Sequence, residues 1–184
     1  QLLKSRITKM ETLLEDLLEF SRVGRIEPMA EEVDLAEMMQ SLVDLTDNPK
    51  QVQVNWAEDL PTFQTLRAPL EQVLLNLVGN AIKHNHRDSQ GRVDVQWREA
   101  GDRYRFMIKD NGPGIDKKDH ERVFQMYQRV GDPNIDGSGM GLAIVKKQIE
   151  HLGGEVSVDS QVGEGTTFEF TWPMEIANAQ ANGS

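Results

Sequence analysis

The 184-residue chain contains no cysteine, which excludes disulfides, thiolate metal sites and cysteine nucleophiles. It also lacks an apolar run close to the roughly 20 residues of a membrane span, and it has no basic-then-apolar leader. These absences predict a soluble, cytoplasmic segment with no membrane contact of its own, from a parent protein that can still be membrane-anchored. Because the first residue is Gln1 and not Met, we expect a piece of a longer protein.

Positive charge is also scarce, since 20 Lys and Arg stand against 30 Asp and Glu, for a net charge of -10. A surface of this sign repels phosphates, so a general nucleic-acid or anionic-membrane binder is excluded and no nucleic-acid partner is expected. Any polyphosphate ligand must therefore be bound by a local site. A hydrophobic content of 38% is sufficient for one globular domain with a helical appendage.

The first 24 residues carry a heptad pattern. Their apolar positions are spaced by 4, 3, 4 and 3 residues, at Leu3, Ile7, Met10, Leu14 and Leu17. This spacing predicts a helix over residues 1–24 with one apolar stripe, which requires a partner helix or a fold back onto the rest of the chain. Gly24 ends the helix, and residues 25–33 are predicted to be a linker.

The remaining segments alternate between helical and strand periodicity. Helices are predicted over 34–46, 69–85 and 139–152, strands over 52–56, 93–97, 104–108, 155–158 and 166–172, a long polar loop over 115–138 and a polar tail over 174–184. This order predicts an α/β fold, a two-layer α/β sandwich in which helices cover one face of a mixed sheet, with its domain over residues 34–173.

Three motifs within this domain carry chemistry. Asn76, Asn80 and Lys83 share one face of the helix over 69–85 and present amide oxygens for a hard divalent cation and an ammonium for phosphate. Asp110-Asn-Gly-Pro-Gly114 follows a strand, where a buried carboxylate can accept a hydrogen bond from an exocyclic amine such as that of adenine.

The third motif, Gly137-Ser-Gly-Met-Gly141, leads directly into a helix, where free backbone N–H groups can bind an anion. Each motif taken alone is also typical of an ordinary solvated helix face, turn or glycine-rich loop. Their combination in this order is far more specific than any one of them.

The combination resembles the catalytic region of sensor histidine kinases. Asn76 to Lys83 is similar to the N box, Asp110 to Gly114 to the first glycine box, Phe124 to Arg129 to the F box and Gly137 to Leu142 to the second glycine box. Residues 7–22 resemble the second helix of the dimerisation and phosphotransfer hairpin. The resemblance runs from about Arg6 to Pro173 and implies the Bergerat ATP-binding fold.

The resemblance also implies the roles of individual residues. Asn80 would bind Mg²⁺ with Asn76 in support, Lys83 and Arg129 would contact phosphate, and Asp110 would bind the adenine amino group. With ATP and Mg²⁺ as cofactors, the complete implied set is Asn76, Asn80, Lys83, His84, Asp110, Gly112, Gly114, Ile115, Phe124, Tyr127, Arg129, Gly137, Ser138, Gly139, Met140, Gly141 and Leu142. His84 stands where the family often has an aromatic residue, and an imidazole stacks on a base less extensively.

The implied activity is transfer of the ATP γ-phosphate to a histidine, followed by relay to an aspartate of a response regulator receiver domain. His120-Glu121 superficially resembles a phosphoacceptor pair, but it lies between the two glycine boxes and lacks the expected proline. The acceptor is therefore expected before Gln1, on the upstream helix of the same hairpin, in a kinase that is a homodimer when intact.

Other activities of the same fold compete with this interpretation. Gyrase-like ATP hydrolases place a glutamate four residues before the metal-binding asparagine, where this chain has Asn76, a poor base. An anti-sigma-type serine kinase would share the nucleotide site, but the hairpin-like first helix argues against it. A non-catalytic module with a vestigial pocket is disfavoured because the nucleotide motifs are intact.

Overall fold

The computed structural model of the chain describes residues 2–25, 29–87, 90–131, 135 and 137–176, without the side chains of 2–6 and 9. Pro28, the Leu3 side chain and the tail from 177 onward lie outside this description. The helices are α1 (Leu2–Arg22), α2 (Leu35–Leu45), α3 (Arg67–His84) and α4 (Gly141–His151). The strands are β1 (Glu31–Asp34), β2 (Gln53–Trp56), β3 (Thr62–Thr65), β4 (Arg92–Ala100), β5 (Arg103–Asp110), β6 (Val156–Gln161) and β7 (Gly165–Pro173).

Five of these strands form one mixed sheet in the order β2-β4-β5-β7-β6. β2 runs parallel to β4, whereas all other neighbours in this sheet are antiparallel. β4 and β5 form the expected hairpin, which turns at Gly101 with a φ of +69°. This mixed sheet with its helices confirms the predicted α/β two-layer sandwich.

The core lies between the sheet and helices α2, α3 and α4. Alternate residues of β4, β5 and β7 point into it, and the inward face of α3 is equally apolar. The buried set includes Val93, Val95, Phe106, Ile108, Phe170, Trp172, Leu70, Val73, Leu74, Leu77 and Val78. Since burial of one large apolar side chain contributes about 1.5–3 kcal/mol, this layer fixes where α3 lies on the sheet.

Two short strands were not predicted from the sequence pattern. β1 pairs with β3 in a separate antiparallel ribbon, so Glu31 to Val33, at the end of the expected linker, are strand residues. The Trp172 indole N–H donates to Thr65 Oγ1 across 2.8 Å and ties this ribbon to β7. α3 begins at Arg67, two residues before the expected start at Pro69.

The long segment between β5 and α4 has little regular structure. It contains two single-turn 3-10 helices, Lys117–Asp119 and Arg122–Phe124. Asp116 accepts from the Lys118 N–H across 3.1 Å and thereby caps the first of them. None of the helices in the described part of the chain is long and apolar enough to cross a membrane.

Helix α1 contacts the domain mainly through its C-terminal end. Lys147 of α4 donates to the Phe20 carbonyl oxygen across 2.6 Å, and its ammonium lies 4.1 Å from the centre of the Phe20 ring. Gly24 lies directly against the ring of His151, which therefore packs on the end of α1. The apolar stripe remains open to solvent, because Ile7, Met10, Leu14 and Leu17 are 42–62% exposed.

We expect this exposed stripe to drive weak self-association through residues 1–24. Each large apolar side chain that becomes buried between two copies contributes about 1.5–3 kcal/mol. The double variant Leu14→Glu, Leu17→Glu should sediment as a monomer at concentrations where the wild type dimerises, whereas Glu15→Gln should behave as wild type. A wild type that is monomeric at high concentration would contradict this prediction.

Candidate functional site

A cavity of about 640 Å³ opens between α3, the end of β5 and the segment that leads into α4. Thirteen of the residues implied by the motifs line it, although they come from three distant parts of the chain. They are Asn76, Asn80, Lys83, His84, Asp110, Gly114, Ile115, Arg129, Gly137, Ser138, Gly139, Gly141 and Leu142. The fold thus brings the three sequence motifs to one cavity.

The polar face of α3 forms one wall of this cavity. The Asn76 amide Nδ2 donates to the Gln72 carbonyl oxygen across 3.0 Å, which directs Oδ1 away from that carbonyl. A Cβ atom on Gly141 would lie only 2.6 Å from Asn76 Oδ1, and one on Gly137 would lie 3.5 Å from Lys83 Nζ. The glycine-rich segment can lie directly over the α3 face because these two residues have no side chains.

The start of α4 completes this wall. Met140 precedes the helix without a side-chain cap, and the Ser138 hydroxyl accepts from the Met140 N–H across 3.2 Å. The first N–H groups of any α-helix have no partner within the helix, and the helix dipole makes its N-terminus attractive to anions. The cavity lining therefore includes both a helix N-terminus and the ammonium of Lys83.

Asp110, the last residue of β5, lines the same cavity. It is 9% exposed, and its Oδ1 accepts from the Gly112 N–H across 2.7 Å. Burial raises the pKa of this carboxyl, although the N–H groups of Gly112 and Thr166 both act to lower it. The remaining acceptor capacity of a buried carboxylate suits a ligand that donates a hydrogen bond, such as an amine.

Four of the implied residues do not line the cavity. Met140 is fully buried in the fold, and Gly112 lies behind the Asp110 carboxylate. The Phe124 ring packs edge-on against Phe168, with 6.0 Å between ring centres. Tyr127 is half exposed and adopts a φ of +61°.

Other lining residues had no predicted role of their own. Thr166 and Phe168 enter the cavity because they occupy inward positions of β7, and Thr12 reaches it from α1. Lys50, His86, Gln128 and Val130 come from connecting segments. Alternation along residues 166–172 could have indicated the two strand residues, whereas a connecting segment has no periodicity to read.

The cavity has a charge opposite to that of the whole chain. Lys50, Lys83 and Arg129 line it, and Asp110 is the acidic residue among the described lining residues. In a chain of net charge -10, this concentrates positive potential where a polyanion would bind. Within the described residues, no group of three or more His, Cys, Asp or Glu could hold a metal ion.

His120 is the histidine whose sequence context superficially resembles a phosphoacceptor pair. Its Nε2 is 3.2 Å from the Ile115 carbonyl oxygen, within the segment between β5 and α4, and its side chain is partly buried. It does not line the cavity within the part of the chain that the structure describes.

Comparison with known proteins assigns residues 65–176 to the family described as histidine kinase-, DNA gyrase B-, and HSP90-like ATPase. The methanogenesis regulatory histidine kinase FilI of Methanothrix harundinacea is 34% identical over 94% of this chain, which spans 20% of that protein. Sensor histidine kinase WalK of Bacillus subtilis is 30% identical over 91% of this chain and 29% of its own length.

A similar structure is that of full-length ShkA in complex with AMPPNP. It is 32% identical, has a TM-score of 0.76, and matches 91% of this chain and 36% of that one. The chain thus spans about a fifth to a third of the length of these relatives. The family match over most of the α/β domain, together with the cavity that collects its motifs, shows that the chain belongs to the histidine kinase-, DNA gyrase B- and HSP90-like ATPases, as the ATP-binding catalytic portion of a sensor histidine kinase.

Proposed function

We propose that the parent protein transfers the γ-phosphoryl group of ATP to a histidine on its upstream hairpin helix, and that this phosphoryl group then passes to an aspartate of a response regulator. The observation that carries the proposal is the single cavity lined by Asp110, the Asn76–Asn80–Lys83 face and the glycine-rich segment before α4. These groups match the base, the metal-bound phosphates and the outer phosphate of one nucleotide.

In this proposal Asp110 accepts a hydrogen bond from the adenine amino group at the inner end of the cavity. Lys83 and Arg129 neutralise phosphate oxygens, and the N–H groups at the start of α4 bind the same oxygens. His84 and Ile115 line the space between these ends and would contact the base or the sugar. Phe124, Tyr127 and Met140 would support the enclosing segment from outside the cavity.

The donor set fits Mg²⁺, which commonly takes one or two protein oxygens and completes its shell with water and substrate phosphates. Asn80 would supply the protein oxygen, with Asn76 adjacent on the same helix face. When bound, the cation would neutralise charge on the transferring phosphoryl group. Lys83 and Arg129, two of the three cationic residues that line the cavity, would contribute the remaining charge neutralisation.

The transfer breaks the bond between the γ-phosphorus and the β,γ-bridging oxygen and forms a bond to an imidazole nitrogen. ADP leaves with the electron pair, and the imidazole releases its proton to solvent. The domain contributes position and charge, because little covalent chemistry is required of the protein in such transfers. Thr12 of α1 lines the cavity, which supports an approach of the acceptor from the side of this helix.

ATP hydrolysis is disfavoured as the main activity. Asn76 occupies the position where the gyrase-like enzymes have a glutamate, and its amide donates to the backbone oxygen of Gln72. A neutral carboxamide does not remove a proton from water at physiological pH. We also propose that residues 1–24 belong to the hairpin, that 34–173 form the catalytic domain, and that the intact kinase is a homodimer through its hairpins.

Incubated alone with γ-labelled ATP, the chain is expected to gain no stable phosphohistidine. Supplied with the upstream hairpin as a separate chain, it should label that hairpin in trans. Asn80→Ala should slow this labelling by about 100-fold, because it removes a ligand of the cation that would neutralise charge on the phosphoryl group. The variant His120→Gln should label at the wild-type rate. Stoichiometric labelling of His120 would contradict the proposal.

The Asn80→Ala variant should also lose most of the Mg²⁺ dependence of ATP binding. Removal of a protein ligand to the cation is expected to reduce the affinity gained from Mg²⁺ by about tenfold or more. Calorimetric titration with and without Mg²⁺ measures this gain. Asn55→Ala serves as the matched control, because Asn55 donates to Asp94 across 3.0 Å outside the cavity. An unchanged gain in Asn80→Ala would remove the metal assignment.

A further inference from the structure

A pair of amide side chains joins two of the three site motifs from behind the cavity. Asn85 follows the last residue of α3 and is 0% exposed. Asn111 follows Asp110 directly at the end of β5. The Asn85 amide Nδ2 donates to Asn111 Oδ1 across 3.0 Å, so one side-chain hydrogen bond connects the helix of Lys83 to the strand of Asp110.

The orientation of both amides is determined by backbone groups. The Arg87 N–H donates to Asn85 Oδ1 across 3.0 Å, so Nδ2 must face Asn111. The Arg92 N–H donates to Asn111 Oδ1 across 2.8 Å, and Asn111 Nδ2 donates to the Gln90 carbonyl oxygen across 2.9 Å. Because exchange of O and N in either amide would place like groups together, neither can flip without loss of several bonds.

Further contacts from neighbouring segments restrict the position of Asn85. Lys50 donates from Nζ to the Asn85 carbonyl oxygen across 2.6 Å. A Cβ atom on Gly91 would lie 2.9 Å from Asn85 Oδ1, so the start of β4 closes over the amide. A Cβ atom on Gly112 would lie 2.8 Å from Asp110 Oδ1 and 3.8 Å from Asn85 Cα. Asn85 is thus packed directly behind the segment that orients the Asp110 carboxylate.

We propose that Asn85 and Asn111 are a positioning pair that sets Asp110 for the 6-amino group of the base and so determines selectivity for adenine. The inference rests on the proposed role of Asp110 as acceptor for that amine. Neither amide lines the cavity within the described residues, so the pair acts through Asp110 and not by contact with the nucleotide.

The physical reason is the steep distance dependence of a hydrogen bond. A donor and acceptor must come within about 3.2 Å, so a shift of Asp110 by one ångström removes the bond to the amine. Phosphate binding tolerates such a shift better, since Lys83 is a long flexible cation and a triphosphate offers many oxygens. Loss of the pair should therefore weaken recognition of the amine selectively.

The test compares ATP with purine riboside triphosphate, which lacks only the exocyclic amine, by calorimetric titration of the full chain. The wild type is expected to prefer ATP by about tenfold or more. In Asn111→Ala, the Kd for ATP should rise about tenfold, while the Kd for purine riboside triphosphate stays within about twofold. Asn55→Ala is the matched control and should keep the wild-type preference, because the amide hydrogen bond that it loses, also 3.0 Å long, lies outside the cavity.

The outcomes separate the two levels of the proposal. An equal rise in the Kd values of Asn111→Ala for both nucleotides would indicate a merely structural role and would overturn the positioning pair. The same holds if Asn111→Ala keeps the wild-type preference for ATP. A wild type without preference would instead overturn the role of Asp110, and the positioning pair with it.

A second variant covers the case in which Asn111→Ala does not fold. Gly91→Ala keeps both amides and every charge of the cavity lining, and its Cβ atom would lie 2.9 Å from Asn85 Oδ1, so the Asn85 amide must move. The Kd of this variant for ATP should rise about threefold, with purine riboside triphosphate again within about twofold. Equal effects on the two nucleotides would overturn the proposal here as well.

Discussion

Asp110→Ala is expected to weaken binding of ATP and ADP equally, by about 1–3 kcal/mol, or roughly 5- to 150-fold. The two nucleotides share the base that Asp110 is proposed to bind, so the loss should not depend on the γ-phosphate. Calorimetric titration with both nucleotides measures it. Asp94→Ala is the matched control, since Asp94 accepts from Asn55 and lies outside the cavity. Equal binding by wild type and Asp110→Ala would refute the base assignment.

The same carboxyl makes the stability of the nucleotide-free domain depend on pH. Burial raises the pKa of Asp110 in the folded state above its ordinary value of 3.8. In the pH range between 3.8 and this higher pKa, Asp110 is mostly deprotonated in the unfolded chain but still mostly protonated in the folded chain. The free energy of unfolding therefore falls as pH rises through this range. Relative to wild type, Asp110→Asn should therefore gain stability over that interval and hold the gain above it. Urea unfolding at a series of pH values measures the difference, and a constant difference would contradict the raised pKa.

The long periodic elements could be predicted because their apolar residues are numerous and regularly spaced. α3 carries seven buried residues in helical spacing, and β4, β5 and β7 each alternate over eight or nine residues. β1 and β3 could not, because four residues allow at most two inward side chains, such as Phe63 and Thr65. Their pairing is set by residues about 30 positions apart, which no local pattern records.

The candidate site could be predicted where its residues stand in local sequence motifs. Asn76, Lys83, Asp110 and Gly141 each stand in a recognisable motif, and the fold brings them to one cavity. Phe124 stands in a motif too, but motif membership does not fix direction, and its ring packs against Phe168 outside the cavity.

The contact between Asn85 and Asn111 behind the site had no such signal, although Asn111 itself stands in the motif from Asp110 to Gly114. Asn85 and Asn111 are 26 positions apart, and their contact depends on where the end of α3 lies relative to β5. Core packing determines that placement, because no local sequence pattern relates the end of α3 to the end of β5. The residues proposed to bind the nucleotide can therefore be predicted from local motifs, whereas those proposed to position them can be found only in the fold.

Gly165→Ala is expected to lower the free energy of unfolding by more than about 3 kcal/mol. Gly165 begins β7 with a φ of +110°, and a Cβ atom there would lie 2.0 Å from the backbone oxygen of Asp110. Backbone cannot move aside as a flexible side chain can, so β5 and β7 would have to separate where the base is proposed to bind.

Gly163→Ala, in the same hairpin turn, isolates this effect. Gly163 also has a left-handed φ, of +87°, but a Cβ atom there would meet nothing within 4 Å. Its replacement should therefore cost only the backbone strain, about 1–2 kcal/mol. Urea unfolding of both variants measures the difference, and equal costs would show that contact with Asp110 is not what requires glycine at residue 165. If the contact is the cause, the fraction of Gly165→Ala that remains folded should also bind ATP more weakly, because the displaced strand carries Asp110.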